Sequence, residues 1–455
     1  MDLGEGLPPG MRRRAMVTIA IAVSMAVLDS AIANIALPTI ARDMATTPAA
    51  TIWVVNAYQF AVTVSLLPLA FLGDILGYKR VYMVGLVVFT IASLGCALAP
   101  SLPLLVLARV VQGFGGAGIM SVNTALIRFI FPRAELGRGL GLNAFTVATF
   151  SALGPSIAAA ILSVATWHWL FAINVPLGVI ALSLAKRVLP MTPRAGHRFD
   201  LLSALLNAVT FGLVITAVDG LGRNAGTKEV VELASALVVG TVFIYRQIHL
   251  PVPLLPVDLF RRPIFALSVG TSVCSYIAQT IAYVALPFYF QYVGGLSQTD
   301  TGLLMTPWPA IVVIVAPIAG RLSDRYPAGV LGTAGLAAMT AGLVCLLLMP
   351  ATPSYADVAW RMVICGLGFG FFQSPNNRLL VGSAPRERSG AGSGMLATAR
   401  LTGQTIGSAL VALSFGLTGA HAGAEVARGT ALALSMAIVS AASAMTVSSL
   451  RLRAS

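Results

Sequence analysis

The sequence predicts an all-α polytopic membrane protein of about fourteen transmembrane helices, and three observations carry this prediction. Hydrophobic residues make up 57% of the 455-residue chain and charged residues only 10%, whereas a soluble domain carries about 25% charged residues. Apolar stretches of about 20 residues, the length that crosses a bilayer core, recur along the whole chain. The basic residues cluster in the short segments between these stretches.

The apolar stretches give fourteen candidate spans. In chain order they cover 15–37, 50–72, 81–99, 103–127, 139–163, 168–189, 200–218, 230–249, 264–292, 301–322, 329–349, 357–381, 390–416 and 429–450. The pair 200–218 and 230–249 is the weakest, because a charged segment separates its members. That segment and the start of the second span hold Asp219, Arg223, Lys228, Glu229 and Glu232.

The distribution of basic residues predicts that both termini are cytoplasmic. With a cytoplasmic N-terminus and fourteen helices, the 29 Lys and Arg residues divide into 22 inside, four outside and three within spans. Removing the weak pair keeps the parity, so the count does not separate twelve helices from fourteen. The net charge of +13 is then a feature of membrane topology. We therefore expect a bilayer and no nucleic acid as partner, in a monomer of the cell (inner or plasma) membrane.

An internal repeat predicts two related halves. The segment LGDILGYKR around Asp74 is echoed by GRLSDRYPAG around Asp324, and ARVVQGFGGAG from Ala108 is echoed by WRMVICGLGFG from Trp360. Halves related along the membrane normal are a known transporter plan, with the binding site at their interface. We expect a six-helix bundle at 1–190, two inserted helices with linkers at 191–262, and a second six-helix bundle at 263–455.

Ionisable residues inside the spans are candidates for function, because a charge at the bilayer centre costs about 2.5–3.5 kcal/mol on insertion scales. Asp29 is the only carboxylate well inside a span, and burial disfavours its charged form, which suits a proton carrier. The alternative is an acid near the outer surface that water solvates. Arg109 has no acidic neighbour in sequence, so it pairs across helices or faces water. Arg361 and Arg400 lie nearer helix ends, where snorkelling is the simpler explanation.

Two turns and one kinked helix are candidates for conformational change. Asp74, Gly77 and Arg80 belong to a short turn that is echoed at Asp324, and we interpret both turns as gating latches. The mid-span pair Gly154 and Pro155 bends its helix next to small residues that allow close helix approach. This face could seal a cavity or provide tight packing, and the sequence favours neither.

Polar and aromatic residues within the spans are candidates for a substrate cavity, although interhelical hydrogen bonds explain most such residues. The candidates are Asn34, Tyr58, Gln59, Gln112, Tyr276, Gln279, Tyr283, Gln373, Asn376 and Arg400. The signals for an enzyme are poor. The four histidines are scattered without metal spacing, and no phosphate-binding loop or nucleophile elbow is present. We expect no metal, no cofactor and no enzymatic activity.

Several motifs resemble those of the major facilitator superfamily, in particular its fourteen-helix drug:proton antiporter branch. LDSAIANIALP at 28–38 resembles the first-helix motif and places Asp29 on its acidic position. AFLGDILGYKR at 70–80 resembles the signature turn, with Ala70 where the family usually has Gly. LARVVQGFGGAG at 107–118 is close to the fourth-helix motif and places Arg109 on an arginine that the family implicates in proton coupling.

The resemblance continues into later helices. ALGPSIAAAIL at 152–162 is similar to the antiporter motif, with an alanine pair where the family has a later glycine pair. WHWLFAINVPLG at 167–178 and MLATARLTGQTIGSAL at 395–410 resemble motifs of the sixth and thirteenth helices. The resemblance implies proton-coupled export of small amphipathic or cationic compounds by alternating access, as in multidrug efflux. The alternatives are a transporter of one specific metabolite or siderophore and a non-transporting membrane sensor or scaffold.

Overall fold

The structure is a computed structural model of the chain, and the described residues are 6–132, 135–192, 194, 199–223, 226–250, 253–255, 257–323, 325–350, 353–383, 389–419 and 423–454. These residues form helices and connecting segments, with no strand among them. The helices are α1 (Pro9–Asp43), α2 (Pro48–Thr51), α3 (Trp53–Leu76), α4 (Tyr78–Ala97), α5 (Leu102–Ile130), α6 (Leu136–Leu162), α7 (His168–Ala172), α8 (Asn174–Val188), α9 (Leu201–Arg223), α10 (Thr227–His249), α11 (Pro263–Phe288), α12 (Gln298–Met305), α13 (Pro307–Leu322), α14 (Ala328–Leu347), α15 (Tyr355–Gly382), α16 (Ser389–Thr418) and α17 (Gly423–Ala454).

Thirteen helical segments among the described residues are long and apolar enough to cross a membrane. They confirm the predicted polytopic all-α class. The thirteen do not include α10, which matches the predicted span 230–249. It is a 23-residue helix that lies against α9 and carries charged residues near both ends. Lys228, Glu229 and Glu232 lie near its start and Arg246 near its end, so α10 has the length of a span without a fully apolar sequence.

In chain order, one group of helices precedes the inserted pair α9 and α10, and a second group follows it. We call α1–α8 the N-terminal bundle and α11–α17 the C-terminal bundle, and the division of the chain into these units stays a prediction. Successive spans run in opposite directions, because short segments connect them. We call the side on which α1 begins and α17 ends the terminal face, and the side on which α1 ends the distal face. The bundles meet through α1 with α11, α3 with α16, and α6 with α12 and α13.

Close glycine contacts hold neighbouring helices together in both bundles. A Cβ atom on Gly85 of α4 would lie 2.9 Å from the Cα of Gly118 on α5. The same contact recurs 250 residues later, where a Cβ atom on Gly335 of α14 would lie 2.6 Å from the carbonyl oxygen of Gly368 on α15. Small residues permit this backbone approach, which drives helix association in a bilayer through van der Waals packing. The recurrence is the packing expected of a duplicated bundle.

The inserted helix α9 lies beside the seam between the bundles, where it packs against both α3 and α16. Asn207 donates from Nδ2 to the carbonyl oxygen of Val64 at 3.1 Å. At the terminal face Asp200 accepts from the Ser203 hydroxyl at 2.5 Å and from Arg246 Nη2 at 3.0 Å. Partial burial would raise the pKa of Asp200, but these hydrogen bonds outweigh burial and hold that pKa below its ordinary value. The contacts join α9 to α10.

Candidate functional site

A buried ion pair lies in the interior of the N-terminal bundle. Asp29 of α1 and Arg109 of α5 form it, and both side chains are 0% exposed. Arg109 Nη1 donates to Asp29 Oδ2. The two residues that the sequence proposes for proton coupling are therefore in direct contact, and Arg109 pairs across helices. The opposite charges compensate each other, which offsets the desolvation that each charge would suffer alone.

Two amide side chains complete the surroundings of the carboxylate. Gln112 Nε2 and Asn174 Nδ2 donate to Asp29 Oδ1 over 2.8 and 3.0 Å. Gln112 Oε1 also accepts from Arg109 Nη1 at 2.7 Å, so this glutamine binds both members of the ion pair. A carboxylate in its ionised form only accepts hydrogen bonds, and the three donors around Asp29 match that form. The site therefore holds a charged pair in a fixed arrangement.

Aromatic rings and a backbone carbonyl orient the arginine. Arg109 Nε donates to the carbonyl oxygen of Val54 at 2.9 Å. Its guanidinium carbon lies 4.2 Å from the ring centroid of Tyr58 and 5.4 Å from that of Phe171, within the range of cation–π attraction. Arg109 Nη2 is buried and has no hydrogen-bond partner. The arginine thus keeps one free donor inside the bundle.

Sequence reasoning missed two residues of this site. Asn174 opens α8 and binds Asp29 directly, and Ser93 of α4 accepts from Gln112 Nε2 at 2.9 Å. Asn174 had a signal in the sequence, because it is the only amide within the apolar segment 167–178. Ser93 had none, since a small hydroxyl residue within a span commonly bonds its own helix. The Ser93 hydroxyl indeed also donates to the carbonyl oxygen of Phe89 at 2.7 Å.

The predicted latch at the terminal face forms a tight turn between α3 and α4. Gly77 adopts a φ of +92°, a conformation that side chains disfavour, and so permits this turn. Asp74 accepts a hydrogen bond from the Tyr78 hydroxyl within the turn. Lys79 Nζ donates to the carbonyl oxygen of Leu189 at 2.6 Å and thereby ties the turn to the end of α8. Arg80 is exposed. The echoed residue, Asp324, lies outside the described residues.

Hydrogen bonds join the bundles at the distal face. Gln291 follows α11 in a π-helical turn, Tyr289–Val293, and donates from Nε2 to the carbonyl oxygen of Ile35 at 3.1 Å. Arg42 Nη2 donates to Gln291 Oε1 at 2.7 Å, and the Arg42 guanidinium lies over the ring of Tyr292. Thus the last two turns of α1 hold the end of α11. We call the contacts of Ile35, Arg42, Gln291 and Tyr292 the distal clamp.

The part of α6 around Gly154 and Pro155 contacts both bundles. A Cβ atom on Gly154 would lie 2.6 Å from the Cβ of Ala31, so α6 packs closely on α1 next to the ion pair. The carbonyl oxygen of Pro155 and the side chain of Ala159 lie within 2.8 Å of a Cβ built on Gly302 of α12. Ser156 and Thr306 share a hydrogen bond of 2.9 Å. This face therefore closes the seam between the bundles on the distal side of the ion pair.

The proposed cavity residues fall into several pairs. The Ser408 hydroxyl donates to Gln59 Oε1 at 3.1 Å across the seam between α3 and α16. Gln373 Nε2 donates to the Tyr276 hydroxyl at 2.9 Å, and Gln279 lies one turn before Tyr283 on α11. Their positions on α3, α11 and α15 are consistent with a site between the bundles, and their assignment to a cavity stays a prediction.

Two further cavity candidates lie on α15 and α1, and their assignment to a cavity also stays a prediction. Asn376 is 1% exposed and is held inside the C-terminal bundle by Ser272 and Arg451, with hydrogen bonds of 2.7 and 2.8 Å. Asn34 is 7% exposed, and its Oδ1 is buried without a hydrogen-bond partner. Asn376 therefore links α11, α15 and α17 within one bundle, whereas Asn34 keeps a free acceptor on α1.

Arg400 is a charged residue in the middle part of α16. Five residues towards the distal face, Thr405 shares a hydrogen bond of 3.1 Å with Thr63 of the N-terminal bundle. A Cβ atom on Gly403, one turn further along α16, would lie 2.8 Å from the Cβ of Tyr276 in the C-terminal bundle. Leu401, next to Arg400, is buried in one apolar cluster with Tyr58 of the N-terminal bundle. Arg400 Nε is buried without a hydrogen-bond partner. Arg400 therefore lies between the bundles, on the terminal side of a contact that joins them.

The described residues contain no group of three or more His, Cys, Asp or Glu side chains that could hold a metal ion. The membrane interior instead concentrates amides, tyrosines and the Asp29–Arg109 pair. Together with the thirteen apolar helical segments, these features are those of a polytopic membrane protein. The chain belongs to the major facilitator superfamily, whose family model matches residues 19–408.

Known proteins similar to this chain include transporters with different described roles. The chain is 59% identical to the "Uncharacterized transporter YebQ" of Escherichia coli strain K12, over 92% of this chain and 93% of that protein. It is 33% identical to the "Riboflavin transporter RibZ" of Clostridioides difficile strain 630, over 88% and 87% of the two chains. It is 31% identical to the "Multidrug resistance protein Stp" of Mycobacterium tuberculosis strain CDC 1551, over 88% and 76%.

A solved structure with a similar fold is the crystal structure of a bacterial homologue of the human lysosomal transporter Spinster, in an inward-facing and unoccupied conformation. The TM-score is 0.71, and the similarity covers 99% of this chain and 98% of that chain at 15% sequence identity. At this identity the likeness establishes the fold alone. Together with the family match it confirms the predicted major facilitator architecture.

Proposed function

We propose that the protein exports small amphipathic compounds in exchange for protons, by alternating access. It acts in the cell membrane with both termini, and hence the terminal face, in the cytoplasm. The observation that carries this proposal is the Asp29–Arg109 pair, which is sealed from solvent and bound by two amides. Burying a carboxylate inside a membrane protein costs free energy, so such a carboxylate is a candidate for proton transfer.

One helix connects the proton site with the distal clamp. α1 carries Asp29, and the last two turns of the same helix hold Gln291 of the C-terminal bundle. When Asp29 takes a proton it loses its charge, so its attraction to Arg109 falls and the contacts of α1 rearrange. Proton binding would thereby shift the equilibrium between two arrangements of the bundles. Such a shift requires that the proton binds more tightly to one arrangement than to the other.

The position of the contacts between the bundles suggests which state this structure represents. The hydrogen bonds between them in the described part of the chain lie at the level of Thr63–Thr405 or closer to the distal face. With the terminal face in the cytoplasm, this is a state closed to the outside. Asp29 in its ionised, paired form fits a transporter that has released its proton inside.

The names of the relatives favour two substrate profiles. Stp is named for multidrug resistance, and its name supports the proposal that this protein exports several compounds. RibZ is named as a riboflavin transporter, and its name supports the second candidate function, in which this protein transports one specific metabolite. The number of compounds that the purified protein moves distinguishes these two profiles.

Proton coupling is testable in liposomes that contain purified protein, an imposed pH gradient and a pH-sensitive dye. A panel of amphipathic cations, neutral compounds and anions is added to the wild-type protein and to the variant Asp29→Asn. We expect substrate-dependent proton flux in the wild type and none in the variant, because asparagine keeps the size of the side chain and cannot carry the proton.

Asp43→Asn is the matched control, since Asp43 lies at the end of the same helix. It accepts a hydrogen bond from Trp167 Nε1 at 2.9 Å, which an asparagine oxygen can also accept. This control should keep its proton flux. Undiminished flux in folded Asp29→Asn protein would exclude the assignment of Asp29.

A further inference from the structure

The one carboxylate deep inside the described spans is not available to a ligand. Asp29 is 0% exposed, and its two oxygens accept from Arg109, Gln112 and Asn174. A cationic compound between the bundles would therefore find this negative charge already compensated and sealed away. The charge that a ligand does meet has to come from another residue.

Arg400 supplies an uncompensated positive charge between the bundles. Among the described residues, Arg400 has no hydrogen-bond or ion-pair partner, and its Nε is buried. Its side chain is partly exposed, so the rest of the guanidinium is accessible. A snorkelling arginine lies near a helix end, whereas Arg400 lies in the middle part of α16, one turn from the contact of Gly403 with Tyr276.

The described acidic side chains on the helices around Arg400 lie near the ends of those helices, away from the middle part of α16. α16 packs against α2, α3, α9, α11, α15 and α17. The described acidic side chains on these helices are Asp74, Asp357 and Glu425, and each lies in the first or last turn of its helix. Asp74 and Asp357 also have partners of their own, the Tyr78 hydroxyl and Arg361. Among the described side chains, therefore, no acid from the interior of these helices neutralises Arg400.

Aromatic and polar groups beside Arg400 suit an amphipathic molecule. The Tyr276 hydroxyl accepts from Gln373 at 2.9 Å, so its own proton is free to donate to a ligand. The Tyr276 ring packs edge-to-face on Phe369, with centroids 5.4 Å apart. From the opposite bundle, Tyr58 belongs to the apolar cluster that includes Leu401, the neighbour of Arg400. The surroundings thus combine a cation, a hydroxyl donor and apolar rings.

We propose that Arg400 binds a carboxylate group of an amphipathic, aromatic substrate between the two bundles, with the Tyr276 hydroxyl as a second donor. The planar guanidinium matches a carboxylate with two parallel hydrogen bonds. One unpaired cation balances one monoanion, whereas a phosphate dianion would need further positive charge. This proposal rests on the proposed transport function and narrows its substrates from amphipathic or cationic compounds to carboxylates.

The test measures equilibrium binding to purified protein in detergent by fluorine NMR saturation transfer, without any gradient. The probes are 4-fluorobenzoate, 4-fluorobenzamide and 4-fluorobenzylamine, which share one ring and carry a negative, a neutral and a positive group. Protein-free micelles correct for partition into detergent. We expect the benzoate to bind most tightly and the amine most weakly.

The variants assign this preference to one side chain. In Arg400→Gln the benzoate should bind about tenfold more weakly, the loss expected for a charge-assisted hydrogen-bonded pair, while the amide is unaffected. Tyr276→Phe should weaken the benzoate alone, by a smaller factor. Arg321→Gln is the control for net charge, since Arg321 is exposed at the end of α13 and should leave all three affinities unchanged.

Several results would overturn the proposal. They are equal binding of the three probes, preference for the amine, no binding of the benzoate, and a benzoate preference that persists in Arg400→Gln. If that variant does not fold, Arg400→Lys and the order of the probes in the wild type decide. Because no gradient is imposed, a failure of proton coupling at Asp29 leaves this result unchanged, so the two proposals fail separately.

Discussion

At the residue scale, the buried charge of Asp29 is balanced by Arg109, whose N–H groups donate hydrogen bonds to several acceptors. Nη1 binds Asp29 and Gln112, and Nε binds the carbonyl oxygen of Val54. A lysine offers a single nitrogen and cannot reproduce this fork. Removing either member of the pair leaves the other as an uncompensated buried charge, which destabilises a protein more than removing both.

A double-mutant cycle tests this dependence. We expect Arg109→Gln to lower the free energy of unfolding by about 3–5 kcal/mol, because Asp29 is left without its counter-ion. The double variant Asp29→Asn, Arg109→Gln should lose less, since it buries no unpaired charge. Thermal denaturation in detergent measures both. A double variant that is as unstable as Arg109→Gln alone would show that the pair is not coupled.

Sequence reasoning found the charged members of the site and missed its neutral ones, for a physical reason. Asp29 and Arg109 are conspicuous because charges are costly and rare within apolar spans. Amides and hydroxyls are common there, and most only join helices, so the single amide Asn174 in its segment was a weaker signal than a charge. The same ambiguity applies to Asn376, whose partners lie within one bundle and whose assignment to a cavity stays a prediction. Which face of a helix turns inward is decided by packing.

At the scale of helices, small residues determine which spans pack most closely. α4 and α5 meet at Gly85 and Gly118, and α14 and α15 meet at Gly335 and Gly368. Without a strong hydrophobic force between helices in lipid, this close approach supplies much of the attraction. Large side chains at these positions would force the helices apart and disturb Arg109, which lies on α5.

Alanine substitutions measure the contribution of the close approach. Gly85→Ala should destabilise the protein by about 1–3 kcal/mol, because the new Cβ would overpack against the backbone of α5. Gly368→Ala should act in the same direction, since its Cβ would lie 2.3 Å from the backbone nitrogen of Met339. The readout is again thermal denaturation in detergent.

Gly95→Ala on the same helix α4 is the matched control. A Cβ at this position would meet its nearest atom, the Cβ of Ala108, at 3.6 Å, an ordinary contact. Removing a helical glycine is favourable in itself, so this variant should be neutral or slightly stabilising. If Gly85→Ala were as stable as Gly95→Ala, the close contact of α4 and α5 would not contribute to stability.

Helix boundaries were less predictable than the presence of the helices. The hydropathy of the chain predicts 15–37 as the first span, whereas α1 covers Pro9–Asp43 and extends beyond the apolar stretch at both ends. The predicted span 301–322 consists of two helices that meet at Thr306 and Pro307. Hydropathy reports the part of a helix that lipid surrounds, and turns or extensions outside it depend on local capping and packing.

At the scale of the whole molecule, we propose that proton binding at Asp29 controls the relative position of the bundles. The distal clamp and the part of α6 around Gly154 and Pro155 hold the bundles together on one side, and α1 reaches from the proton site into that clamp. The family match and the fold support movement of two bundles about a central site. The sequence could indicate the repeat, but it could not indicate which side is closed.

The measurement that tests the central claim most directly is a pair of spin-label distances across the two faces, in wild type, Asp29→Asn and Asp43→Asn. Labels at exposed positions 100 and 356 report the distal face, and labels at exposed positions 187 and 326 report the terminal face. Cys274 and Cys345, the two partly exposed cysteines, are replaced by serine. The account predicts that Asp29→Asn, which mimics the protonated state, lengthens the distal distance and shortens the terminal one. Identical distances in all three proteins would contradict control of the bundles by the charge of Asp29.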